Sequence, residues 1–157
     1  MTSASSLSST MEHIKTKFSP NLMVAAATYN ATSKFVINPL SERSPKVFIR
    51  DLGPSIRRPF NFAQAALPLM LSGDKGRYPP TVIFTGAMAS LKGNSGLSTF
   101  STSKFGARAI AQSLTRELGP YGVHVSHIII DRITNTEKTK CYGQEIPDAK
   151  TRSAGCK

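Results

Sequence analysis

The sequence predicts an α/β fold built on a parallel sheet of about three strands with flanking helices. Three observations carry that expectation. The runs "NLMVAAATYNA", "TVIFTGA" and "GVHVSHIII" are apolar without regular alternation, as strands covered on both faces are. Stretches with three- and four-residue apolar spacing lie between them, giving the order strand, helix, strand, helix, strand. The connections are short, so consecutive strands are expected side by side with right-handed crossovers.

Taken in order, residues 11–18, "MEHIKTKF", spell two helical turns with Met11, Ile14 and Phe18 on one side. About Leu22–Thr28 reads as the first strand, running out into a loop at Tyr29–Ala31. "TSKFVINPLSERSPKV" carries two prolines and several turn formers, and reads as a surface connection. From about Val47 to Leu71 the spacing is helical, with Phe60, Ala63, Ala66 and Leu67 recurring on one side. Pro54 and Pro59 each remove a backbone donor, which predicts a broken start and a firm helix from about Pro59; Pro68 predicts a kink near the end.

"SGDKGRYPP" is an expected exposed turn, and Thr81–Thr85 the second strand. After the loop "MASLKGNSGLST", a helix is expected from about Thr99 to Leu118, with Phe105, Ala109, Leu114 and Leu118 as its inner stripe. Gly119-Pro120 supplies the glycine-then-proline stop. Val123–Ile130 is the third strand. The domain plan is an N-terminal extension with a short helix over 1–20, the α/β domain over 21–136 and an irregular tail over 137–157.

Composition narrows the function classes. Hydrophobic residues are 39% and charged residues 18% of 157, an ordinary globular balance with material for one modest core. No apolar run approaches the ~18 residues of a membrane span, so no membrane partner is expected. Twenty Lys and Arg against nine Asp and Glu give +11, an excess that can mark a phosphate-bearing partner. The charges are scattered, however. Arg57-Arg58 is the one adjacent basic pair and no stretch interleaves bases with aromatics, so no specific nucleic-acid partner is expected. Cys141 and Cys156 form no framework, and reduced thiols in the cytoplasm are the default reading. His124 and His127 stand three apart in a strand, on opposite faces, and show no metal-ligand spacing.

The stretch "PPTVIFTGAMASLKGNSGLSTFSTSKFGARAIAQSLTRELGPYGVHVSHIIID" resembles the short-chain dehydrogenase/reductase family, in particular a fungal subgroup with Phe ahead of the lysine helix. "TYNA" at Thr28–Ala31 is similar to the family's Asn-Ala-Gly strand end, and "FNFAQAALPLML" to the helix after it. The likeness runs from about Asn21 to Thr136. It implies a Rossmann-like, doubly wound parallel sheet, of which this chain holds part, with NADP or NAD as cofactor. The implied partner is a small-molecule carbonyl or alcohol substrate, and the subgroup's company implies secondary metabolism. The two long helices resemble the pair through which family members form homodimers.

The resemblance also assigns roles. A tyrosine gives or takes the proton, a lysine lowers its pKa and holds the nicotinamide ribose, a serine orients the carbonyl, and a helix asparagine supports a relay water. Hydride arrival leaves an alkoxide that needs an acid tuned toward neutral pH. Lys104 matches the lysine. Phe100 stands in the tyrosine position and has no proton to give. The serine interval reaches Ala87, with Thr85 and Ser90 the nearest hydroxyls, and the helix asparagine falls near Ser55. Asn30, Thr85, Lys104 and Thr136 are the expected cofactor contacts, and Ser90 or a water the expected replacement acid.

No G-x-x-x-G-x-G turn, the family's pyrophosphate cradle, occurs in the sequence. The first three strands of the family fold are expected to be missing, and the chain reads as the middle and catalytic portion of a longer ancestor. Two functions follow as expectations. One is an NAD(P)-dependent oxidoreductase; the other is a catalytically silent remnant whose long helices serve as a dimerisation or interaction module.

Overall fold

The structure is a computed structural model and describes residues 4–18, 22–31, 35–72 and 78–131. The apolar runs form strands β1 (Ala26–Tyr29), β2 (Thr81–Ala87) and β3 (His124–Ile130). They pair in parallel in the order β1-β2-β3, with Tyr29 opposite Phe84 and Phe84 opposite His127. The α/β architecture, the strand order and the parallel pairing are those the sequence predicts: a partial Rossmann-like sheet.

Three helices complete the architecture: α1 (Ala4–Phe18), α2 (Pro45–Leu71) and α3 (Ser98–Leu118). Val82 and Phe84 on β2 have no exposed surface and gather Ala63, Ala66 and Met70 of α2 with Ala111 and Leu118 of α3. Val125 of β3 joins the same cluster, and Met11 of α1 packs against it. All three helices therefore cover one face of the sheet. On the other face Ile128 and Ile130 remain 47% and 48% exposed.

Several expectations are corrected. Helix α1 begins at Ala4 rather than residue 11, and Phe18 is 67% exposed instead of joining Met11 and Ile14 on the inner side. The segment ahead of α2 is partly helical: it holds a 3-10 turn at Leu40–Glu42, and α2 begins already at Pro45.

No break appears in the first half of α2, which runs as one 27-residue helix through Pro54, Pro59 and Pro68. Its start is well made, because the Ser44 hydroxyl accepts a hydrogen bond from Val47 N and Pro45 fills the first turn. Each interior proline still leaves a carbonyl without its helical donor. The Pro59 ring is fully buried, so packing offsets part of that cost. Inward, α2 presents Pro59, Ala63, Ala66, Leu69 and Met70, while Phe60 is 49% exposed and Leu67 half-buried.

The inner stripe of α3 also differs. Ser103, Lys104, Ala107, Ala111 and Leu118 are buried, Leu114 is half-buried, and Phe105 and Ala109 lie on the exposed side. Small residues let the helix sit close to the sheet, and with Ser103, Lys104 and Ala107 inward the helical period carries Phe105 and Ala109 outward. Gly119 stops α3 as expected, and Gly122 turns the chain into β3 at φ 75°.

Candidate active site

In a parallel sheet the carboxyl ends of the strands open beside the next helix's first turns, and chemistry gathers there. In this chain that mouth joins the ends of β1 and β2, the middle of α2 and the start of α3. Lys104 reaches it from the inner face of α3. The residue is 9% exposed, and its Nζ donates to the Thr85 carbonyl at 3.4 Å. The Phe100 ring stands one turn earlier, with its centroid 5.8 Å from Nζ.

Burial strips water from the Lys104 ammonium and holds its pKa below the usual 10.5. A charge-assisted hydrogen bond is normally ~2.7–2.9 Å, so the Thr85 contact is long and weak. The ammonium keeps donor capacity for a ligand. Phe100 contributes a ring face toward the charge, an attraction of about 0.5–2 kcal/mol in such settings, but no exchangeable proton. Its other neighbour is Phe35, edge-on at 5.1 Å.

A small cavity adjoins Lys104. Tyr29 and Ala31 at the end of β1 line it, with Thr85 from β2, Ser55 and Arg58 from α2, and Ser103 and Ala107 from α3. Both charged groups on this wall are cations. The Ser55 hydroxyl donates to the Asp51 carbonyl at 2.9 Å and the Ser103 hydroxyl to the Thr99 carbonyl at 2.7 Å; both oxygens can still accept. Tyr29 is half-buried, its ring 5.5 Å from Phe62 and 6.0 Å from Phe84. Burial raises its phenol above the usual 10.0, and the Arg58 charge acts against that rise.

The structure thus brings Lys104, Phe100, Thr85 and Ser55 together. Asn30 is exposed and does not line the cavity. Ser90 is fully buried elsewhere: its hydroxyl accepts from Ala87 N at 3.2 Å and its carbonyl accepts from Arg108 Nη1 at 3.3 Å. That placement makes Ser90 a brace for the 3-10 turn Met88–Ser90 and gives it no wall of the Lys104 cavity. Thr136 lies outside the described residues.

Two groups escaped the reading of the sequence. In the sequence Tyr29 belongs to a strand end, where nothing singles out its phenol, and His127 shows no metal-ligand spacing. Its imidazole lies over Gly86: a Cβ on Gly86 would collide with His127 Cε1 and sit 2.9 Å from Ser90 Oγ. Burial, with the charges of Arg108 and Lys104, pushes the His127 pKa below 6.5, so the ring is neutral at pH 7. The signal was available, because a glycine inside an apolar strand marks a close approach by another group.

The chain matches the short chain dehydrogenase family model over residues 1–145. It belongs to that family. As a short-chain dehydrogenase it resembles a 3-dehydrosphinganine reductase of Arabidopsis thaliana, 32% identical over 92 residues, which are 59% of this chain and 28% of that protein. A short-chain dehydrogenase structure from Rhodopseudomonas palustris superposes with a TM-score of 0.68 at 30% identity, covering 83% of this chain and 57% of that one. A Shigella flexneri short-chain dehydrogenase complexed with NADP gives 0.74 at 20% identity over 92% of this chain and 57% of that one, a likeness of fold. The chain spans 57% of these solved relatives and 28% of the curated one. Among the described residues no helix is long and apolar enough to cross a membrane.

The packing over Gly86 makes a sharp test. Gly86→Ala is expected to destabilise the chain by about 1–3 kcal/mol in urea unfolding, since the imidazole and the Ser90 turn must move. Combining it with His127→Ala should recover part of that loss through coupling of the two sites. Strict additivity of the two changes would contradict the contact.

Proposed function

We propose that this chain carries the proton-transfer end of an NAD(P)-dependent oxidoreductase site acting on a carbonyl or hydroxyl substrate. The observation that supports it most is Lys104: a buried ammonium at the strand mouth, weakly bonded to Thr85 and free to engage a ligand. Ser55, near the helix-asparagine position, lines the same cavity.

The cofactor's nicotinamide end fits these residues. Lys104 would hold its ribose hydroxyls, and bound NAD(P)H would supply the hydride. The pyrophosphate end finds no comparable partner among the described residues. The glycines with positive φ there are Gly96, between β2 and α3, and Gly122, between α3 and β3, and neither belongs to a G-x-x-x-G-x-G turn. The site is therefore read as one portion of a cofactor cleft. Within it, Lys104 orients donors toward the mouth and favours an anion beside it, while Ser55 and Ser103 offer hydroxyl oxygens to a relay water. Asn30 and Thr136 extend the cofactor contacts in this reading. The cytoplasm is the proposed location.

Without a G-x-x-x-G-x-G turn in the sequence, NADPH is expected to bind more weakly than about 1 mM, roughly 4 kcal/mol. Calorimetry showing micromolar affinity would contradict the partial-cleft reading. At millimolar NADPH, reduction of a panel of ketones and aldehydes should be measurable, and Lys104→Met should lower it by about 10²-fold or more. Equal turnover without Lys104, or none in the parent chain, would sink the oxidoreductase reading.

A second reading, an interaction module, is favoured by the outer side of α2. Ile49, Leu52, Ile56 and Phe60 form an apolar stripe that, with Ile110 of α3, walls an open groove; Ile49 and Phe60 are 64% and 49% exposed. An exposed apolar patch of this kind suits a homodimer through the two long helices. Sedimentation equilibrium should show a dimer that Phe60→Glu disrupts; a monomer at all concentrations would exclude it.

A further inference from the structure

The tyrosine position ahead of Lys104 holds Phe100, yet a phenol from another element borders the same cavity. Tyr29 is the last residue of β1, and its pairing opposite Phe84 turns its ring to the helix-covered face of the sheet. There Phe62 and Phe84 hold the ring at 5.5 and 6.0 Å, so its direction is set by packing. It borders the cavity with Lys104, Ser55 and Arg58. We propose that Tyr29 is the proton donor of this site, working from the strand wall where the family's tyrosine works from the helix wall. This rests on the oxidoreductase reading above.

Arg58 stands one helical turn before Phe62 on α2, so the element that packs the ring also presents a cation to the phenol. Burial raises the phenol's pKa above the usual 10.0, and the Arg58 charge works against that rise, on the side of the phenolate left after proton transfer. The second cation, Lys104, lines the same cavity, and among the described residues no acidic group lines it. Phe100 is committed differently, edge-on to Phe35 at 5.1 Å. In the reduction, the carbonyl carbon gains the hydride and its electron pair while the carbonyl oxygen takes the proton from Tyr29 Oη. The phenol O–H bond breaks, the alcohol O–H bond forms, and the phenolate regains a proton from water entering beside Ser55. In the oxidation direction the same atoms move in reverse.

Turnover of the carbonyl panel by the full chain at millimolar NADPH is the first test. Tyr29→Phe keeps the ring packing and removes the proton, and is expected to lower turnover by about 10²–10⁴-fold. Adding Phe100→Tyr to Tyr29→Phe should restore at least about tenfold, because it returns a phenol one helical turn from Lys104. Tyr121→Phe, on a residue 62% exposed, should leave the rate unchanged. Wild-type turnover retained by Tyr29→Phe overturns the proposal. Absence of turnover in the parent chain defeats the oxidoreductase reading instead, and a second measurement then decides the role of Tyr29. In NMR titration of the chain carrying ¹³Cζ-labelled tyrosine, the signal lost in Tyr29→Phe should titrate at higher pH in Arg58→Met. A Tyr29 titration unmoved by both Arg58→Met and Lys104→Met overturns the proposal, because the phenol then does not face the cations.

Discussion

The close seating of α3 on β2 and β3 is the constraint on which the rest of this molecule depends. It requires small residues on the helix side of the contact, Ala107 and Ala111. Given that approach, Thr115 Oγ1 donates to the Val125 carbonyl at 3.4 Å, and Lys104 Nζ meets the Thr85 carbonyl. The His127 imidazole also finds room over Gly86. A bulkier stripe would lift the helix, and Lys104 would then project into water as an ordinary surface lysine. Packing at the helix stripe therefore sets the chemistry at its head.

The electrostatics follow from the same burial. Lys104 loses hydration and gains one long hydrogen bond and one aromatic face, an incomplete compensation for a buried ammonium. Arg58 adds a second positive charge to the cavity wall, and Arg108 a third beside His127. These charges attract a negative oxygen on a ligand, such as an alkoxide, while burial opposes ionisation of the Tyr29 phenol. The excess of basic residues in the composition thus acquires a local meaning here, without implying a nucleic-acid partner.

Much of this was legible in the residues. Three apolar runs became three parallel strands, and the position of Lys104 at the mouth followed from its place in the first turns of the third helix. Other features were hidden for physical reasons. Three prolines argued against a continuous α2, whereas Ser44 and Pro45 already carried its start signal and the buried ring of Pro59 offset part of the lost backbone bonding. On α3 the search for large apolar side chains selected Phe105 and Ala109, yet the surface against the sheet wanted small residues and the aliphatic stem of Lys104. Tyr29 was missed because the position ahead of the lysine drew attention to the helix. Its relation to Lys104 exists only once β1 lies beside β2. Ser90 looked like a spare hydroxyl until its bond to Ala87 N gave it a structural task.

The central claim is that Lys104 is a buried, poorly solvated ammonium at the strand mouth. It is tested most directly by NMR titration of its side-chain ¹³Cε and ¹⁵Nζ, with Lys104→Met identifying the signal. A midpoint clearly below the usual lysine value of 10.5 is the predicted result. A midpoint at or above that value would mean a solvated or strongly ion-paired lysine, and would contradict the site described for this chain.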